Sequence, residues 1–259
     1  LVSRLVDYED LTPANWELSS RQILRETIAD PLLVEMILTP LMWYGNPRPH
    51  DMDFGMFSVM FRSIFQEGFA RPFAGVRLIL KNFVRRFRAL GGKLRLRSGV
   101  ARIKVDSGRA TGVVLQDGEE LEARHILSSA GLVETLRLCE DVSVVQPPDA
   151  GRLSFAESIS ILDRQPRQLG LDRTIVFYND SDQFHWESPA DELLDVRTGV
   201  ICSPNNYLYD EADGELPEGI IRITSLANFD LWSALPEEAY RVQKLRGHDR
   251  MAESAVRYV

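Results

Sequence analysis

The side chains able to do chemistry unaided are scattered along the chain. His50, His125, His185 and His248 fall at no ligand spacing of the His-Glu-x-x-His kind, so no metal site is expected. Cys139 and Cys202 are the only cysteines. They are too few for a disulfide scaffold or a cysteine zinc site and suit a reducing, cytoplasmic setting. The sequence contains neither a Gly-x-Ser-x-Gly elbow nor a Walker sequence, which leaves hydrolase and triphosphatase readings without their usual support. The acid pairs Glu119-Glu120 and Glu237-Glu238 sit where a hairpin and a helix start explain them. No catalytic residue is assigned.

Two local concentrations of residue type stand out instead. Five of the six methionines, Met36, Met42, Met52, Met56 and Met60, share one stretch with Trp43, Tyr44, Phe54, Phe57, Phe61, Phe65, Phe69 and Phe73. Thioethers and flat rings make adaptable walls for a long lipophilic ligand, and they equally make an ordinary helical core. The second concentration is basic: Arg71, Arg77, Lys81, Arg85, Arg86, Arg88, Lys93, Arg95, Arg97, Arg102 and Lys104 follow Gly68 with no acid among them. A solvated face explains this tract, as does a docking surface for anionic lipid or an acidic partner.

The elements that would carry these residues follow from periodicity. Helical spacing runs from Ser19 to Leu41, broken at Asp30-Pro31, where Asp caps and Pro opens a new turn. The stretch from Thr39 to Pro47 reads as an aromatic loop. Asp51 or Asp53 then caps a helix that stops at Gly68. A strongly amphipathic helix from Val76 to Leu90 turns Val76, Leu80, Phe83, Val84 and Phe87 inward. The period then changes to two. Leu94, Leu96 and Val100 are expected on one buried sheet face with Val113, Leu115 and Ile126, and Asp117-Gly118 marks a hairpin in a small meander. Gln146 to Gly151 reads as a linker. Four strands, at Ser154–Leu162, Thr174–Tyr178, Gly199–Ser203 and Ile220–Leu226, precede a helix opened by Pro236.

With 259 residues, 44% hydrophobic, the chain can bury a core. The formal charge of −8 argues against nucleic acid as a partner, and the basic tract lacks the interleaved aromatics of a stacking platform. Every apolar run falls short of the roughly 20 residues of a spanning helix. The chain begins at Leu1 in mid-pattern and reads as an excised piece. Residues 1–75 are expected to form a helical portion, 76–140 a helix, strand and β-meander, and 141–259 a sheet with a closing helix, giving an α+β fold.

Arg71-Pro72-Phe73-Ala74-Gly75-Val76, Gly91-Gly92-Lys93-Leu94-Arg95-Leu96, Val100-Ala101-Arg102-Ile103, Gly108-Arg109-Ala110-Thr111-Gly112-Val113, Asp117-Gly118-Glu119 and Ser128-Ser129-Ala130-Gly131 occur in that order. Together they resemble the middle of a phytoene desaturase or carotenoid-isomerase type protein, FAD-dependent oxidoreductases of the amine oxidase superfamily. Weaker likeness extends to Leu41–Gly45 and to Asn228–Lys244 with Trp232 and Tyr240. Ala74 departs from the family, which usually has a second glycine there. The resemblance implies a two-domain flavin fold of which this is the central part, without the Gly-x-Gly-x-x-Gly segment that seats FAD pyrophosphate. It further implies hydride transfer from a lipophilic, polyene-like substrate to flavin, with the cofactor performing the chemistry. By resemblance, Val100 meets adenine through its backbone, and Ala130 and Gly131 pass near the cofactor. Met42, Trp43, Tyr44, Phe57, Met60 and Phe61 are the expected substrate contacts. The rival expectation is a non-catalytic α+β interaction module whose basic face binds anionic lipid, as a peripheral membrane contact, or an acidic partner.

Overall fold

The computed structural model describes residues 17–44, 51–139, 154–184 and 190–259. His50, His185, the Gly45–Pro47 end of the aromatic loop and the Gln146–Gly151 linker lie outside them. The chain divides into two units, Leu1–Gly75 with Gly151–Val259, and Val76–Ala150.

The first unit is built on an antiparallel sheet of β4 (Phe155–Leu162), β5 (Ile175–Asn179), β6 (Leu194–Cys202) and β7 (Gly219–Ala227) in the order β4-β7-β6-β5. Alternation of side chains gives the sheet two apolar faces. One face carries Tyr178, Ile201 and Ile223, which pack with Met251 and Ala255 of α7 (Glu237–Ala255). The short helix α6 (Phe229–Ser233) precedes α7 and is capped by Asn228, whose side chain accepts from Leu231 N. The other face carries Phe177, Val200 and Leu226. They meet a helical cluster of Leu24, Val34, Leu38, Leu41, Met42, Trp43, Met52 and Phe57.

That cluster comes from three helices whose starts are written in the sequence. Ser19 caps α1 (Ser20–Thr27) by accepting from Gln22 N, and Asp30 caps α2 (Pro31–Met42) by accepting from Leu32 N at 2.9 Å with Pro31 in the first turn. Asp53, rather than Asp51, caps α3 (Phe54–Phe61) through Met56 N at 2.8 Å. Asp51 instead accepts from the backbone N–H of Arg21 and Met52, tying the α3 entry to α1. The helix widens into a π turn over Arg62–Glu67, and Gly68 ends it at φ 78°, a left-handed conformation open to glycine. Arg21 and Glu35 form an ion pair between α1 and α2, and Glu35 also accepts from Phe184 N. A buried charge so paired and bonded is tolerated where a lone one is not.

The second unit holds α4 (Val76–Ala89), the antiparallel meander β1 (Val100–Asp106), β2 (Arg109–Leu115) and β3 (Glu120–Glu122), and α5 (Leu132–Leu138). Two expectations fail here. Residues 93–97 form no strand, and Leu96 is 76% exposed, with Leu94 exposed as well, while Leu115 is buried. A period-two pattern becomes a strand only where a neighbour's backbone accepts its hydrogen bonds, and among the described residues no strand pairs with 93–97, where Arg95 reaches Glu119 by side chain alone, at 2.7 and 3.0 Å. Helix α4 has no buried residue. Its apolar stripe of Val76, Leu80, Phe83 and Phe87 is exposed rather than inward.

Candidate functional site

The helices cover only part of their sheet face. Strand register aligns Ile159 with Arg222, Arg222 with Cys202 and Cys202 with Ile175 across the four strands, and one row further in it aligns Glu157, Thr224, Val200 and Phe177. Trp43, at the end of α2, stacks on Phe155 with ring centres 5.1 Å apart, and Tyr44 meets Phe177 edge-on at 6.1 Å and Phe69 at 5.7 Å. Beyond these rings the floor is open: Ile159 is 54% exposed and Ile161 58%. Arg71, three residues past Gly68, donates to Tyr209 Oη at 2.7 Å and to the carbonyls of Pro72 and Phe73. Tyr209 in turn donates to Pro204 O at 2.9 Å and holds Phe73 edge-on at 5.2 Å.

One ion pair stands on this floor. Arg222 grips Glu157 with Nε at 3.1 Å and Nη2 at 2.7 and 2.8 Å, and Thr224 adds its hydroxyl at 3.4 Å. The Glu157 hydrogen bonds raise the arginine pKa, so the guanidinium is a permanent cation. Burial pushes the Tyr44 phenol up to about 12, with Tyr207 and Cys202 adding to the effect. Burial also raises Tyr207 and the Cys202 thiol, against the lowering pull of Arg222 and Arg71 on Cys202. A thiol so shifted stays protonated near neutrality and is a poor nucleophile. The face therefore offers apolar and aromatic contact, two guanidiniums and phenol hydroxyls, without an activated nucleophile.

The six expected substrate residues fall in different places. Phe57 is fully buried in the helical cluster, and Met42 and Trp43 are buried there with it. Met60 and Phe61 pack against that cluster, half-buried. Tyr44 alone of the six is exposed, at 51%, and stands on the open floor. Arg71, Glu157, Cys202, Tyr207 and Arg222 were not singled out as substrate contacts by sequence reasoning. The signal available was a charge breaking each isoleucine alternation, Glu157 before Ile159 and Ile161, and Arg222 after Ile220, but a single strand does not say which strand lies beside it.

Val100 opens β1, paired to Leu115. Ala130 and Gly131 are exposed and precede α5, with Gly131 at φ 104°. These residues do not fit the pyrophosphate of a dinucleotide. Glu134 crowds the space beside the Gly131 Cα and places an acid in the first turn of α5, where a phosphate would be repelled. Among the described residues no group of three His, Cys, Asp or Glu side chains gathers to hold a metal. No helix among them is long and apolar enough to cross a membrane.

Over 94 residues, 36% of its length, the chain is 35% identical to the phytoene desaturase of Fusarium fujikuroi and equally to that of Gibberella fujikuroi. Over that stretch the chain is phytoene desaturase-like. The matched stretch is 16% of each relative's length. No family model matches. A solved protein from Pyrococcus furiosus superimposes with a TM-score of 0.60 at 14% identity, over 98% of this chain and 58% of that one. An oxidoreductase from Methanosarcina mazei does so with a TM-score of 0.51 at 15% identity, over 92% and 51%. These likenesses show the α+β fold, whose two sheets are both antiparallel.

Proposed function

We propose that this chain is the central, substrate-side part of a longer FAD-dependent oxidoreductase of phytoene desaturase-like type, acting on a lipophilic substrate that rests on the open face of the β4–β7 sheet. The observation that carries the reading is the uncovered apolar floor of Ile159 and Ile161 on the β4 edge of the sheet, since soluble proteins seldom leave contiguous apolar surface open without a use. A flavin held by other parts of the longer protein would supply the redox chemistry. This chain's residues exclude water with Phe155, Ile159 and Ile161, orient the substrate against the Tyr44 ring, and keep the Cys202 thiol protonated and inert. The test is Ile159→Asp in the full-length gene product. An exposed edge-strand position tolerates the change, so flavin content should hold while KM for an apolar substrate rises at least about tenfold, the cost of setting a charge under a hydrocarbon. An unchanged KM would remove the floor from the substrate path.

A second reading rests on α4. Its exposed apolar stripe lies on a helix carrying Arg77, Lys81, Arg85, Arg86 and Arg88 and no acid, the pattern of a helix lying on an anionic lipid surface. Sedimentation with phosphatidylserine vesicles, abolished by Phe83→Asp, supports it. Equal sedimentation of the variant ends it.

A further inference from the structure

The charges on the sheet floor do not balance. Arg222 faces Cys202 in the strand register, and Arg71 reaches the same end of β6 through Tyr209, which donates to Pro204 O two residues beyond Cys202, so two guanidiniums meet one carboxylate, Glu157, there. Glu157 is already taken by Arg222 through Nε and Nη2. Arg71 is held by a phenol oxygen and two backbone carbonyls, and among the described residues no carboxylate pairs with it. Neutral acceptors satisfy geometry without neutralising the cation, and a half-buried guanidinium flanked by Phe73 and Tyr209 is short of water to do so. The bonds to Arg71 engage Nη1, so that among the described residues Nε and Nη2 meet no acceptor, and neither does Nη1 of Arg222. Apolar floor runs away from this cationic end along Ile159 and Ile161.

We infer that the face takes a lipophilic acid, its hydrocarbon body on Ile159 and Ile161 and its carboxylate at the guanidinium donors of Arg71 and Arg222. The inference rests on the substrate-floor reading above and narrows its substrate class from hydrocarbons to chains ending in an acid. Glu157 then tempers affinity, because it competes with the ligand for Arg222.

The probe is trans-parinaric acid, a fluorescent polyene acid, compared with its methyl ester by titration of the 259-residue chain. The ester keeps the oxygen acceptors and loses only the charge. The acid should bind on the order of tenfold tighter or more, as a charge-assisted bond exceeds a neutral one by that factor. Arg71→Gln, which can still donate to Tyr209, should bring acid and ester close to equal, while Arg71→Lys keeps part of the preference. Glu157→Gln should tighten the acid and leave the ester unchanged, an effect that loss of structure does not produce. Equal binding of acid and ester to the unaltered chain overturns the acid-head inference and leaves the apolar floor standing. Binding of neither removes both.

Discussion

Phe57→Ala separates a packing role from a channel-wall role for the methionine and aromatic stretch. The ring has no exposed surface and sits between Phe54, 5.9 Å away, and Phe61, 5.5 Å away, in the cluster that also holds Leu24, Leu38 and Met52. Truncating a fully buried Phe typically costs about 3–5 kcal/mol, through lost transfer energy and the cavity left behind. The two ring neighbours place this site toward the upper end. Against a total stability of roughly 5–15 kcal/mol that is a large fraction, equivalent to a melting-temperature drop of roughly 10 °C in a chain of this size. Urea unfolding followed by tryptophan fluorescence reads it directly, since Trp43 belongs to the same cluster. Tyr44→Ala, at the half-exposed end of the stretch, should cost only about 1 kcal/mol. A loss under about 1 kcal/mol for Phe57→Ala would refute the core assignment and return Phe57 to the substrate path.

Gly199→Ala should destabilise the first unit by about 1–3 kcal/mol, because a Cβ there meets the Tyr178 hydroxyl and Thr224 O; melting of the variant checks it, and an unchanged midpoint contradicts the close approach. Burial raises the Cys202 pKa, so at any given pH less thiolate is present than in the unfolded chain; iodoacetamide labelling at neutral pH should be slower folded than in urea and should quicken only above the ordinary thiol range, and equal folded and unfolded rates at neutral pH would contradict this. The 259-residue chain should purify colourless, because Val100, Ala130 and Gly131 offer no seat for a pyrophosphate; a yellow preparation with stoichiometric flavin would place the cofactor site in these residues after all.

Sequence pattern was most legible where local chemistry decides the outcome. Asp30-Pro31 splits α1 from α2, Gly68 stops the α3 turn, Asp117-Gly118 turns the meander and Pro236 opens α7, each within the reach of one cap or one turn. The strands β4, β5 and β7 showed through their β-branched alternation, whereas β6 showed only from Gly199 on, its first half at Leu194–Thr198 being interrupted by Asp195 and Arg197 and a register shift. What alternation cannot carry is the identity of the neighbour. Leu94 and Leu96 have the spacing of a half-buried strand and lie exposed, and the α4 stripe has the spacing of a packed helix face and is exposed along its length. The site was hidden by the same limit. Glu157, Arg222, Cys202 and Arg71 are far apart in sequence, and only the β4-β7-β6 order pairs Glu157 with Arg222 and sets Cys202 beside them. The π turn at Arg62–Glu67 and the short α5 left no distinctive pattern to find.

The central claim, that these residues form the substrate side of a flavin enzyme, is tested most directly by anaerobic spectroscopy of the full-length gene product. The purified protein should show the absorbance of oxidised flavin, and that absorbance should bleach on addition of a lipophilic polyene substrate without any other reductant, with bleaching slowed in Ile159→Asp at equal flavin content. A protein that carries no flavin, or whose flavin stays oxidised in the presence of every lipophilic polyene offered while dithionite reduces it, would contradict the account.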